Sequence, residues 1–150
     1  MPTTVVSRTI VKSVGQMMVH VAVGLVFHSN GKVLVAKRAD DAHQGGLWEF
    51  PGGKVETHES VDIALARELR EELDIHISAA SPVMQIPHDY GDKKVLLDVW
   101  AVNAFSGTPI GREGQVIKWL SINELSAHQF PKANKTIVQW LEQKTDTANA

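Results

Sequence analysis

Three glutamates, Glu68, Glu71 and Glu72, fall within five positions of the stretch GGKVETHESVDIALARELREELDI, directly after Gly52-Gly53. On a helix, residues three and four apart are neighbours, so the three carboxylates share one side and repel one another. They also gather toward the helix C-terminus, where the macrodipole disfavours anions. Two readings are open. One is a solvated polar face, with Arg67 and Arg70 offsetting the repulsion. The other is a site for a hard divalent cation such as Mg²⁺, which takes carboxylate oxygens and fills its remaining shell with water and substrate phosphates. The double glycine favours the second reading, because it lets backbone approach a ligand closely. Carboxylates alone repel a polyphosphate; with a cation bound they attract and polarise one.

The elements that must position these groups follow from local pattern. Ser60 has N-cap chemistry, and Val61, Leu65, Leu69 and Leu73 recur every fourth residue, which predicts a helix to about Leu73 with that face in the core. Val19 to Phe27 is apolar on both faces and predicts a buried central strand. Asn30-Gly31 between two β-rich runs predicts a hairpin with a type I′ turn. EFPGGKV reads as a strand entering a sharp turn. HISAASPVMQIPHD and KKVLLDVWAVNAF read as strands around a turn at Tyr90-Gly91-Asp92. VIKWLS is a further strand before a helical turn at Ile122–Leu125. A terminal helix follows, with Asn134 as its cap and Ile137, Trp140, Leu141 and Lys144 along one side. This alternation argues for an α/β (α+β) protein with a mixed sheet flanked by helices.

Composition sets the bounds. The chain has 150 residues, 43% apolar, and a formal net charge of −2. That suits one compact domain, expected over 17–144, with a loose arm at 1–16 and a disordered tail at 145–150. No basic excess points to a nucleic-acid polymer and no polybasic run to a membrane surface. With no cysteine there is no disulfide, thiolate metal site or cysteine nucleophile. No apolar run spans a bilayer and no signal peptide is evident, so a cytoplasmic location is the default expectation.

Gly53, Glu59, Arg67-Glu68-Leu69, Glu71-Glu72 and Ile75 together resemble the Nudix box: Gly, five residues, Glu, seven residues, Arg-Glu-apolar, any residue, Glu-Glu, any residue, Gly, apolar. The one departure is Asp74, where the box has Gly. That position follows the helix and wants a left-handed residue, which Asp tolerates better than most. A modest stability cost, with activity retained, is the expectation.

The resemblance implies an α/β/α sandwich and a metal-dependent hydrolysis of a nucleoside diphosphate linked to another group. It implies Mg²⁺, or Mn²⁺ in its place, held by Glu68, Glu71 and Glu72 with the Gly52 carbonyl as a further ligand. Arg67 would orient Glu68, and Glu59 would pair with Arg67. Glu68 would act as base or only as ligand.

Beyond the box, VAKRADDAHQGGLWEFPGGKVE, GREGQ and FPKAN resemble the branch of the family that hydrolyses 8-oxo-dGTP to 8-oxo-dGMP and pyrophosphate, cleaning the nucleotide pool and preventing mutation. Glu113, by residue type alone a solvated loop glutamate, becomes by this resemblance a metal-facing carboxylate and a candidate base. Asn134, otherwise a helix cap, becomes a reader of the purine edge, since an amide offers a donor and an acceptor together. Arg38, otherwise a surface charge at a strand end, would contact the nucleotide. His43 would lie near the sugar or phosphates. Glu49, Phe50, Pro51 and Gly52 would line the substrate pocket. Trp48, Trp100, Trp119 and Trp140 read as core.

Two alternatives share these residues. A Nudix pyrophosphatase for CTP or methylated pyrimidine nucleotides would have little use for an Asn that reads N7. A nucleotide-binding module without catalysis would have lost carboxylates that are all present here. The expected partner is a small nucleoside triphosphate, acting on a monomer.

Overall fold

A computed structural model describes residues 18–41 and 45–149, with side chains as far as residue 144. Its strands are β1 (Met18–Val26), β2 (Val33–Lys37), β3 (Trp48–Glu49), β4 (Gly52–Lys54), β5 (His76–Asp89), β6 (Lys94–Ser106) and β7 (Ile117–Leu120). Helix α1 spans Val61–Leu73 and helix α2 Lys132–Asn149, with a 3-10 turn at Ile122–Ala127 before α2. The arm at 1–16 and His43 lie outside the described residues.

The β layer divides into two sheets. One is mixed, in the order β4-β1-β6-β5, and the other is antiparallel, in the order β3-β2-β7. β1 is central as expected, parallel to β6 and antiparallel to β4. Alternation along β1 and β2 fills two cores. Val23, Leu25, Val33 and Val35 face Leu125, Ile137 and Leu141. Ala22, Val26 and Leu34 face Leu65, Leu69 and Leu73. The helices therefore cover opposite faces, which is the α/β/α sandwich. Gly24 lets α1 settle on β1, since a side chain there would press on Leu65 and Leu69.

The Asn30-Gly31 expectation needs correction. Only Gly31 has positive φ, at 89°, and the connection is a four-residue turn closed by bonds from Gly31 N–H to the His28 carbonyl (2.9 Å) and from His28 N–H to the Lys32 carbonyl (2.8 Å). A single bridge, Phe27 to Val33, joins the two runs before they part into different sheets. A full hairpin is not formed because β2 pairs instead with β3 and β7. The short break at Phe50-Pro51 likewise carries the chain from one sheet to the other.

The β5–β6 hairpin turns at Tyr90–Lys93 as expected, with Tyr90 N–H donating to the Lys93 carbonyl at 2.8 Å. Pro82 and Pro87 sit on β5, the outer strand of its sheet, where a missing N–H removes no interior bond. Helix α2 begins two residues before Asn134, directly after Pro131, so Asn134 lies in its first turn and is not its cap. The helix also continues through 145–149, where the sequence reading ended it at Lys144.

Asp98 is the one buried charged side chain among the described residues. It accepts bonds from His20 Nε2 (2.9 Å), Gln85 Nε2 (3.1 Å) and Trp100 Nε1 (2.9 Å), so its burial leaves no acceptor unmet.

Candidate active site

Helix α1 carries the acidic cluster, and its neighbours fix each carboxylate differently. Arg67 is the hub. Its Nε and Nη2 donate in parallel to the two oxygens of Glu59, at 2.6 and 2.8 Å. Nη2 also reaches the Lys54 carbonyl (3.1 Å), and Nη1 reaches Glu68 Oε2 (3.2 Å) and Glu71 Oε1 (3.3 Å). Every donor of the guanidinium fork is engaged, so Glu68 is aimed by a side chain with no freedom left.

Gly53 seats Glu68. A Cβ on Gly53 would overlap the Glu68 carboxylate, so glycine there leaves the carboxylate its place where α1 crosses β4. Next to it, the Gly52 backbone N–H favours the charged form of the Glu72 carboxylate. The double glycine thus serves two successive acids.

Glu113 arrives from the loop 110–115, which closes the C-terminal end of α1. Ile110 N–H donates to the Leu73 carbonyl and Arg112 N–H to the Glu72 carbonyl, each at 3.0 Å. Gln115 Nε2 bonds the same Glu72 carbonyl at 3.2 Å, and Arg112 Nη1 bonds that of Arg70 at 3.3 Å. These bonds satisfy carbonyls that a helix end leaves without partners. Asp74 ends the helix in the left-handed region, φ 59° and ψ 37°, as the sequence predicts for the position where the box has Gly.

Burial and mutual repulsion raise the proton affinity of this cluster. Glu72 is pushed up to about 8, first by burial and then by Glu68, Glu113 and Glu49, with the Gly52 N–H opposing. Glu68 is raised by burial against the pull of Arg67, with Glu71 and Glu113 adding. Among the described residues no three acidic or His side chains converge tightly enough to cage an ion unaided. Facing carboxylates repel at that range, and Arg67 draws Glu71 aside. The donor set still fits a hard divalent cation. It is all oxygen, it is anionic, and its charge is held at a cost that a cation would remove.

Two clefts meet here. One of about 380 Å³ is lined by Glu72, Glu113 and Glu49 together with Lys37, Asp40 and Pro51. The other, about 150 Å³, is lined by Phe50, Gly52, Tyr90, Lys93, Pro131 and Asn134. Arg38 and Glu49 belong to both, and Arg38 Nη1 donates to Glu49 Oε1 at 2.6 Å. The pair is a partition between an acidic compartment and a mostly apolar one. Phe50 stacks on Phe130 (centroids 5.4 Å apart, 20° between planes), which ties the cleft floor to the entry of α2.

Asn134 makes no side-chain hydrogen bond among the described residues and faces the smaller cleft, so its amide is available to a ligand. None of the four tryptophans lines either cleft; all pack against the two cores. Sequence reasoning missed Tyr90 and Lys93 as cleft residues and Gln115 as the tie between loop and helix. The first two stand on a hairpin turn, and nothing in their local pattern points across to another sheet.

A protein-family model for the NUDIX domain matches residues 22–140. The 8-oxo-dGTP diphosphatase of Escherichia coli K12 is 36% identical over 122 residues, covering 81% of this chain and 95% of that protein. The CTP pyrophosphohydrolase of the same organism is 40% identical over 111 residues, covering 74% and 81%. Among solved structures, a MutT from a study of the Aliivibrio salmonicida and Vibrio cholerae proteins superposes with a TM-score of 0.77. It is 37% identical, covering 85% of this chain and 98% of that one.

Proposed function

This chain belongs to the Nudix family, and on that premise we propose that it is a divalent-metal-dependent nucleoside triphosphate diphosphatase whose substrate is 8-oxo-dGTP, released as 8-oxo-dGMP and pyrophosphate. The observation that carries the reading is the union of two clefts across the Arg38–Glu49 pair, with carboxylates on one side and a free Asn amide on the other. A polyphosphate fits the first, and a purine edge fits the second.

We assign the cation as Mg²⁺, replaceable by Mn²⁺, held by Glu68, Glu71, Glu72 and Glu113 with the Gly52 carbonyl beside them. When bound it neutralises phosphate charge and acidifies a water. The chain's own residues do the rest. Arg67 Nη1 donates to Glu68 and holds its carboxylate in one orientation. Glu68, oriented by Arg67, and Glu113, carried by the loop bonded to the end of α1, are the two candidates to accept a proton from water. Asn134 donates and accepts along the base. Oxidation at C8 puts hydrogen on N7, so the normal base leaves a buried pairing unmet and is disfavoured. Arg38 contacts the nucleotide, and His43 is assigned to the sugar or phosphates. Residues 17–144 form the catalytic unit. No described helix is long and apolar enough to cross a membrane. A monomer in the cytoplasm is the working assignment.

A second reading, hydrolysis of CTP, is favoured by the 40% identity to the CTP pyrophosphohydrolase, although that match spans less of the chain. The test is a side-by-side assay of 8-oxo-dGTP, dGTP and CTP with and without Mg²⁺, products separated, repeated for Asn134→Ala. Preference for the oxidised purine, reduced by Asn134→Ala, is expected. Equal rates, or a preference for CTP that Asn134→Ala leaves alone, would withdraw the purine assignment while keeping the hydrolysis.

A further inference from the structure

The smaller cleft combines residues the sequence points to, Arg38, Glu49, Phe50, Gly52 and Asn134, with others it does not. The β5–β6 hairpin reaches in from the outer side of the four-stranded sheet and contributes Tyr90 and Lys93. We propose that Tyr90 is a positioning residue for nucleotide binding, its phenol setting the Arg38–Glu49 partition from the side of the cleft that also carries Asn134.

The backbone of Tyr90 is held rigidly. Its N–H closes the turn onto Lys93 at 2.8 Å, and the next residue is pinned by Gly91 N–H donating to Asp89 Oδ1 at 2.8 Å. Gly91 has a φ of 93°, which lets the chain reverse within that turn. The ring is fixed as well. It meets the His88 ring edge-on, centroids 4.4 Å apart at 73°, and packs against the core that includes Phe50 and Ile137. A ring held from backbone and side alike presents its hydroxyl in one place.

That place is electrostatically marked. Burial raises the proton affinity of the phenol, Arg38 opposes that rise and Glu49 adds to it, so the ring lies within the field of both members of the partition. A neutral phenol can donate to a carboxylate or accept from a guanidinium. Arg38 and Glu49 stand on the three-stranded sheet, at the end of β2 and in β3. Tyr90 stands in the turn that joins β5 to β6 of the four-stranded sheet. The residue thus lines the same cleft as Arg38 and Glu49 from a different sheet's hairpin, and Arg38 belongs to both compartments of the site. Fixing Arg38 before substrate arrives removes an ordering cost from binding and leaves the carboxylate chemistry on α1 untouched.

This inference rests on the nucleotide-hydrolase reading and is tested separately from it. Tyr90→Phe keeps the ring, its packing and its contact with His88, and removes only the hydroxyl. Steady-state kinetics of the parent and Tyr90→Phe with 8-oxo-dGTP and Mg²⁺ should show KM raised about tenfold, the scale of one hydrogen bond to a charged group, with kcat within about twofold. The thermal midpoint should stay put. Tyr90→Leu, which also removes the ring wall, should raise KM further. A KM for Tyr90→Phe within about twofold of the parent overturns the proposal, as does a loss that follows a fallen thermal midpoint. If the parent instead prefers CTP, the purine reading fails alone, and the same KM comparison with CTP decides the role of Tyr90.

Discussion

Arg67 and Glu59 are locked by two parallel hydrogen bonds, 2.6 and 2.8 Å, between helix α1 and the loop that leads into it. The lock holds the Glu59 carboxyl down at about 2, through Arg67 first and the Glu56 N–H second. A carboxyl depressed in the folded state stabilises the fold above its ordinary value of 4.5 and loses that effect as pH falls toward about 2. The thermal midpoint of the parent should exceed that of Glu59→Gln by a constant margin near neutrality. The margin should shrink below pH 4.5. A margin that does not change with pH would remove Glu59 as the cause.

Glu72 carries the opposite sign. Its carboxyl is raised from 4.5 to about 8, so without a divalent cation the folded protein holds a proton that the unfolded chain gives up, and stability declines as pH rises through that interval. Glu72→Gln should therefore melt higher than the parent at pH 8 in chelator and lose the slope. Mg²⁺ should raise the melting temperature of the parent and barely move the variant, and hydrolysis should fall by about a hundredfold. An identical Mg²⁺ response in both proteins would take Glu72 out of the cation site.

Gly53→Ala tests the seat under Glu68. The added methyl occupies the space of the carboxylate, which must swing away from the orientation Arg67 gives it. Circular dichroism should show an intact fold, while kcat drops by about a hundredfold, the scale of an ångström-sized misplacement. Activity within a few-fold of the parent would mean that the Glu68 orientation is dispensable.

Asp74→Gly removes the strain of a side chain in the left-handed region, φ 59°. Denaturant titration should find the variant more stable by about 1 kcal/mol, with kcat and KM unchanged. The ion pair to Arg112, at 3.9 Å and exposed on both sides, is too loose to offset that gain. A variant less stable than the parent would mean that Asp74 makes a contribution its conformation does not account for.

The parts of the fold visible in the sequence were those governed by local periodicity. The four-residue repeat of Val61, Leu65, Leu69 and Leu73 located α1 and its buried side, and the turn at Tyr90-Gly91-Asp92 followed from residue chemistry. What stayed hidden depended on partners far along the chain. The division into two sheets is decided by which strands β2 and β3 meet, so Asn30-Gly31 read as a hairpin when the strands on either side part after one bridge. Asn134 has good capping chemistry, yet the chain enters α2 straight after Pro131, and that Pro was the signal to weigh. The acidic cluster was readable because its members are three and four residues apart. Tyr90 was not, because it shares a cleft with Arg38 and Glu49 only once distant segments of the chain are brought together.

The loop 110–115 finishes helix α1, so the separation of Glu72 from Glu113 is a property of a single helix end. Changes of side chain in that loop are tolerable as long as its bonds to the carbonyls of Arg70, Glu72 and Leu73 survive; a change of length is not. Tyr90 and Lys93 share the β5–β6 turn and Asn134 lies in the first turn of α2, so the wall of the smaller cleft is assembled from elements far apart in the chain. A substitution at Tyr90, Lys93 or Asn134 therefore reshapes the smaller cleft without touching the bonds that set Glu113 beside the end of α1.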